Sequence, residues 1–164
     1  MNERLSMNRM LTVLFIIVCF TPAFAKTGDL QVLSDILEER IKSRRPEWEL
    51  FNKHVDNDSM LIVWQNALPE EKETYYVVII ITPSVAAAAK NLAEAPPSQS
   101  GNRGVEIQGV GQEARLQEHK RGARISIEFR EANFIVRLVA PSEPKGRRFA
   151  RYIIDSIATL QRRK

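Results

Sequence analysis

The chain has 164 residues, of which 44% are hydrophobic and 27% are charged. This balance excludes both a disordered chain and a membrane protein built from many spanning helices, and the length fits one domain with a substantial core. The charge is uneven: residues 26–101 carry 8 basic and 12 acidic side chains (net −4), and residues 102–164 carry 14 and 7 (net +7). The basic half suits an acidic lipid surface, an anionic polymer or an acidic partner, or else it is an ordinary solvated surface.

The first 25 residues have the three regions of an export signal. Arg4 and Arg9 make its start basic, residues 11–20 form a short apolar run, and two alanines flank Phe24 before the expected cleavage point. A membrane-spanning helix needs about 20 apolar residues, so we expect a cleaved signal rather than a retained anchor. We therefore expect cleavage after Ala25, a single domain over residues 26–164, and a periplasmic or secreted location.

Cysteine, histidine and carboxylate chemistry has little support in the sequence. The only cysteine, Cys19, lies in the expected signal, so the domain would lack disulfides, thiol nucleophiles and cysteine-based zinc sites. His54 and His119 do not have the spacing of a metal site, and the Asp56-x-Asp58 sequence fits a turn better than a calcium loop. We predict no catalytic residues, no metal site and no cofactor.

Three segments have the patterns of helices. Apolar residues recur at helical spacing near both ends of the domain: Leu30, Leu33, Leu37 and Ile41, and later Phe149, Tyr152, Ile153, Ile157 and Leu160. Between them, an alanine-rich helix is expected over residues 84–95, with Thr82 as its N-cap and Pro83 at its first position. Pro141 and Pro144 are expected to break the chain before the last helix.

Strands are expected at residues 48–55, 60–65 and 74–81. The third is β-branched or aromatic throughout, so we expect it to be buried on both faces in the middle of a sheet. Proline, serine and glycine predict a mobile loop at about residues 95–104. Short strands are expected beyond it, and Gly109-x-Gly111 among them fits a bulge or turn better than a dinucleotide-binding loop.

The best-supported pairing is a hairpin near the end of the chain. Residues 124–130 alternate strictly between apolar and polar, and residues 134–139 follow a short turn at residues 131–133. The expected inner face consists of Ile125, Ile127, Phe129, Phe134, Val136 and Leu138. Short turns between consecutive strands predict an α+β fold, in which helices at the start, middle and end pack on a mainly antiparallel sheet of five to seven strands.

The outer face of this hairpin carries the candidate binding residues. Alternation places Arg124 and Arg130 on that face, with Arg137 on the same face of the neighbouring strand. Three guanidinium groups there suit a carboxylate or phosphate ligand, since the planar guanidinium binds such groups through two hydrogen bonds. The alternative is that these arginines pair with Glu128 and Glu131 across the strands.

One family resemblance rests on the second half of the chain. The sequences Gly109-x-Gly111-x-Glu113-Ala114 and Arg130-x-x-Asn133-Phe134-Ile135-Val136, followed by an amphipathic helix, cover about residues 104–160. They resemble the closing part of small exported bacterial α+β sensor and lipoprotein domains related to the PsbP/Mog1 fold. The resemblance implies a domain that binds a ligand or partner without catalysis. Val18 stands where lipoproteins have a small residue before the cysteine, so lipid anchoring is not implied.

We therefore expect a non-enzymatic exported domain that binds a small ligand, an envelope component or a partner protein. An anionic envelope ligand or another envelope protein is the expected partner, membrane contact is not required, and nucleic acid is excluded because no aromatic-interleaved basic motif is present. The alternatives are an envelope hydrolase with an unrecognised site and a structural subunit of an envelope assembly. Convergent polar groups in a pocket would favour a ligand, whereas a flat apolar patch would favour assembly.

Overall fold

The computed structural model describes residues 27–66, 68, 73–95, 104–119 and 124–163, so the expected signal and residues 96–103 of the expected loop lie outside the described part. The fold is α+β, as predicted. Its helices are α1 (Thr27–Arg44), α2 (Val85–Glu94) and α3 (Glu143–Arg162). Its strands are β1 (Trp48–Val55), β2 (Ser59–Asn66), β3 (Thr74–Ile81), β4 (Val105–Glu106), β5 (Glu113–Glu118), β6 (Ile125–Glu131) and β7 (Phe134–Ala140).

The seven strands form one antiparallel sheet in the order β1-β2-β3-β7-β6-β5-β4. Strands β1 to β3 pair in sequence order, and so do strands β4 to β7. The two sets meet where β3 pairs with β7, with Val77 opposite Leu138. The sheet is therefore continuous, and the predicted hairpin β6–β7 lies near its centre.

One face of the sheet is covered by α1 and α3, which pack against each other. The six predicted inner-face residues of the hairpin all lie in this core, so that prediction is confirmed. Gly146 in the first turn of α3 has no side chain, and a Cβ there would lie 3.0 Å from the terminal carbons of Ile125 and Ile127. This glycine permits α3 to approach the hairpin closely.

Aromatic stacking joins α3 to the other half of the sheet. The ring centroids of Trp48 and Tyr75 lie 4.6 Å apart, and the Phe149 ring lies 5.4 Å and 4.8 Å from them. These rings come from β1, β3 and α3. Their burial fixes α3 across the sheet and ties the two sets of strands to one core.

Helix α1 is fixed to α3 by polar contacts as well as by apolar packing. Arg40 donates hydrogen bonds to the Ser156 and Thr159 hydroxyls and lies 3.5 Å from an Asp155 carboxylate oxygen. Because the Arg40 side chain is mostly buried, its hydrogen bonds set the register between the helices as well as contributing charge pairing.

The opposite face of the sheet is covered only in part. Helix α2 contacts β6 and β7, where Ala88 and Leu92 are buried. The prediction that β3 is buried on both faces is wrong, since Tyr76 is 37% exposed and Ile80 is 40% exposed. The physical reason is the size and place of α2, whose ten residues do not extend over β2 and β3.

Two predicted helix boundaries need correction. Ser84, not Thr82, caps α2: its hydroxyl accepts a hydrogen bond from the Ala87 amide at 3.0 Å. The Thr82 hydroxyl instead donates to the Asn133 carbonyl, which links the start of α2 to the hairpin turn. Pro144 does not break the chain but lies in the first turn of α3, where the missing amide proton would have no helical partner.

The first strand after the loop is very short. It pairs only over Val105–Glu106, and the following residues form bends up to β5. Gly109 and Gly111 have positive φ angles in this bend, which confirms their expected turn geometry. A Cβ on Gly111 would lie 2.5 Å from the Arg130 carbonyl oxygen, so the bend packs tightly on β6.

We predict that Ile127→Asp unfolds the domain or lowers its free energy of unfolding by about 4 kcal/mol or more, because it buries an unpaired charge against α3. The matched control is Val105→Asp on the edge strand, where the side chain is 67% exposed and the carboxylate stays hydrated. Urea unfolding followed by circular dichroism measures both. Equal losses in the two variants would contradict the described core.

Candidate binding face on the open side of the sheet

The candidate site is the sheet face opposite α1 and α3, here called the open face. Strand alternation places Tyr76, Val78 and Ile80 of β3 on it. The β2 partners of Tyr76 and Val78 are Val63 and Leu61, and their β7 partners are Val139 and Arg137. The part of the face over β2, β3 and β7 is therefore mostly apolar.

Five of these apolar side chains are not fully buried and form what we call the apolar patch: Leu61, Tyr76, Val78, Ile80 and Val139. Tyr76 and Ile80 are the most exposed of the five. Their strands are held in register by continuous pairing from β2 through β3 to β7. The patch is thus a continuous, preformed surface.

Arg130 lies on the open face, as alternation predicted, but its contacts are with other parts of the fold. Its side chain is only 10% exposed, and its guanidinium donates to Glu113 at 2.8 Å, to Gln112 and to the Ala132 carbonyl. The bend before β5 is therefore fastened to β6. The Nε atom is buried without a hydrogen-bond partner among the described residues.

Arg137 pairs with Glu128, its direct neighbour across β6 and β7, at 2.8 Å. This is the cross-strand pair that the sequence offered as the alternative. Glu131 does not pair with Arg130 in the same way: burial raises the pKa of the Glu131 carboxyl, and the nearby Arg130 charge opposes that rise. Arg137 nevertheless keeps 56% of its side chain exposed, while Glu128 beneath it is largely buried.

Arg124 has a third kind of contact. Its guanidinium carbon lies 5.2 Å from the centroid of the Tyr76 ring, at the border of the apolar patch. The structure thus brings Arg124, Arg130 and Arg137 to one sheet face but gives each a different protein partner. Their joint binding of an anion stays a prediction, and of the three only Arg124 and Arg137 are exposed.

One pair of residues relevant to the hydrolase alternative was missed from the sequence. His119 Nε2 and Ser126 Oγ lie 2.7 Å apart, which is the contact that a general base makes with a serine nucleophile. Among the described residues, no carboxylate contacts the His119 ring to orient it. Ser126 is also buried, so the pair lacks two features that serine hydrolysis needs.

A cavity of about 220 Å³ lies between the end of α2 and the bend before β5. Its charged lining is mixed, with Glu106, Glu113 and Arg115. Arg115 already donates to the Leu92 carbonyl at 3.0 Å, and Glu113 accepts from Arg130. Two of the three charged side chains in this cavity are therefore already engaged within the fold.

Two further observations concern the described part of the chain. None of its helices is long and apolar enough to cross a membrane. Within the same residues, no three histidine, cysteine or acidic side chains are grouped so that they could hold a metal ion.

Comparison with known proteins gives no relative: no family model, curated protein or solved structure matches the chain.

We predict that Arg130→Met lowers the free energy of unfolding by about 2 kcal/mol or more, because Gln112, Glu113 and the Ala132 carbonyl each lose the hydrogen bond from the guanidinium. Arg124→Met should cost about 0.5 kcal/mol, since it loses only an exposed ring contact. Chemical unfolding measures the free energy of unfolding of both variants. An Arg130 variant as stable as the Arg124 variant would show that Arg130 is available for a ligand.

Proposed function

We propose that the chain is a non-enzymatic exported domain that binds a partner protein through its open face. The observation that carries this proposal is the apolar patch, which α2 leaves uncovered beside two exposed arginines. Exposed apolar surface of this kind, rimmed by polar side chains, is typical of protein interaction sites. Tyrosine and arginine are also the residues that contribute most often to binding energy at interfaces.

The charges next to the patch favour a partner with acidic groups. Arg137 rises from the middle strand of the face, and Arg124 lies on the Tyr76 ring at its border. A partner that places apolar side chains on the patch and carboxylates around it would match both features. A second copy of this chain matches less well, because patch-to-patch contact brings like-charged arginines together.

The comparison of pocket and patch favours a protein over a small ligand. The described cavity has two of its three charged side chains engaged within the fold, whereas the patch presents apolar side chains that are half-buried or exposed. An apolar sheet face offers a small molecule little enclosure but offers a protein a broad contact area. Export is part of the proposal and rests on the signal-like sequence of residues 1–25.

The test is photo-crosslinking in the cell envelope with a crosslinking amino acid at Ile80. The expected result is one main adduct with a different protein, which weakens several-fold when Tyr76→Gln is added. The matched control places the same group at Val32, which is 39% exposed but lies on α1. That position should not give the adduct, and the crosslinked partner peptide should contain apolar and acidic residues.

Each other outcome overturns a defined part of the proposal. An adduct between two copies of the chain would show self-association instead of binding to a different protein. Identical adducts at Ile80 and Val32, or no adduct at Ile80, would show that the open face is not an interface. The uncrosslinked protein in the same sample should begin at Lys26. A protein that still carries residues 1–25 would contradict export with cleavage.

A further inference from the structure

A second surface, on the opposite side of the domain, carries exposed arginines that form no ion pair with the described residues. Arg44 at the end of α1 and Arg148 and Arg151 in the first half of α3 are all exposed. Among the described residues, none of the three makes an ion pair or a side-chain hydrogen bond. Other basic residues of these helices are paired, such as Arg40 with Asp155 and Arg147 with Glu143.

These three arginines, here called the helical arginine cluster, lie where the end of α1 meets the first half of α3. The guanidinium carbon of Arg44 lies 5.7 Å from the centroid of the Tyr152 ring. Arg151 precedes Tyr152 in α3, and Arg148 lies three residues before Arg151, which is the spacing of neighbours on one helix face. The cluster therefore spans two helices on the outer surface of the helical layer.

Nearby acidic groups do not neutralise the cluster. Glu73 accepts hydrogen bonds from Tyr75 at 2.8 Å and from Lys145, and Glu47 lies 3.5 Å from Arg45. Burial would raise the pKa of Glu73, but the hydrogen bonds from Lys145 and Tyr75 outweigh it and the pKa is lowered. Glu73 is therefore held charged by its own partners, and the positive charge of the cluster remains available to an external anion.

We propose that the helical arginine cluster binds the surface of a membrane that contains anionic phospholipids. The three exposed side chains belong to two helices, and the cavity described above lies elsewhere, at α2 and β5. Separate charges on an exposed helical surface suit a diffuse negative surface better than a single small anion, which needs convergent donors.

This proposal does not rest on the open-face proposal, but the two surfaces are compatible. The cluster belongs to the α1–α3 layer, whereas the apolar patch lies on the other face of the sheet. A domain that rests on a membrane through α1 and α3 would leave its open face free for a partner protein. Binding would be peripheral, electrostatic and weakened by salt.

The test is co-sedimentation of the protein, purified from the cell envelope, with phosphatidylcholine vesicles that contain or lack phosphatidylglycerol. The expected result is binding only to the vesicles with phosphatidylglycerol, decreasing as salt is raised. Each arginine at such a surface changes binding about five-fold, so the double variant Arg148→Gln, Arg151→Gln should bind about 25-fold more weakly.

The matched control is Lys90→Gln, Arg163→Gln, which removes the same net charge from exposed positions outside the cluster. It should change binding less than about two-fold, and thermal unfolding verifies that both variants are folded. Equal loss in the two double variants would mean that net charge alone drives binding. Binding to pure phosphatidylcholine, no binding at all, or complete competition by soluble glycerol phosphate would each overturn the membrane proposal.

Discussion

The packing of α3 across the sheet is the interaction on which the rest of the structure depends. Gly146 allows the first turn of the helix to lie against Ile125 and Ile127, and Phe149 then stacks on rings from β1 and β3. This contact decides which face of the sheet is buried. Because side chains alternate along a strand, it also decides which residues of β3, β6 and β7 must face the other way.

The open face follows from that choice and from the shortness of α2. A helix of ten residues that lies over β6 and β7 leaves Tyr76 and Ile80 of β3 exposed. The exposed apolar side chains of β3 are therefore not a defect of the core, since the core is complete on the other side. The proposed partner protein would supply the missing cover over β2 and β3.

The two arginine groups differ in how far the fold itself uses them. On the open face, Arg130 is buried and hydrogen-bonded within the fold, and Arg137 compensates the charge of Glu128. On the helical layer, Arg148 and Arg151 have no such task among the described residues. An arginine that the fold employs is costly to divert to a ligand, whereas an exposed, unpaired one is available. This distinction is the reason why we propose an anionic membrane surface for the helices and a protein partner for the sheet.

The sequence predicted those features that depend on local periodicity. The hairpin register, its inner face and the apolar stripe of α3 are all set by repeats of two or 3.6 residues, and these predictions are confirmed. The cover of β3 could not be predicted, because it depends on where α2 lies in space. Two of the three partners of Arg130, Gln112 and Glu113, come from a bend and a strand outside the hairpin, so its structural role could not be predicted either.

The lack of ion pairs at Arg148 and Arg151 was missed for a related reason. Whether an arginine has an acidic neighbour depends on which residues the fold brings together. Likewise, Thr82 and Ser84 are both acceptable N-caps by residue type. Only the hydrogen bond from Thr82 to Asn133, 51 residues away, decides between them.

The central claim, that one face of β3 is locked in the core and the other is open, is tested most directly by thiol labelling. Ile79→Cys and Ile80→Cys are adjacent, and the chain's only natural cysteine, Cys19, can be replaced by serine in both. The account predicts that Cys at position 80 reacts within about ten-fold of its rate in the unfolded chain, whereas Cys at position 79 is protected at least about 1,000-fold, because it reacts only on unfolding. Similar protection at both positions would show that the face is covered and would contradict the account.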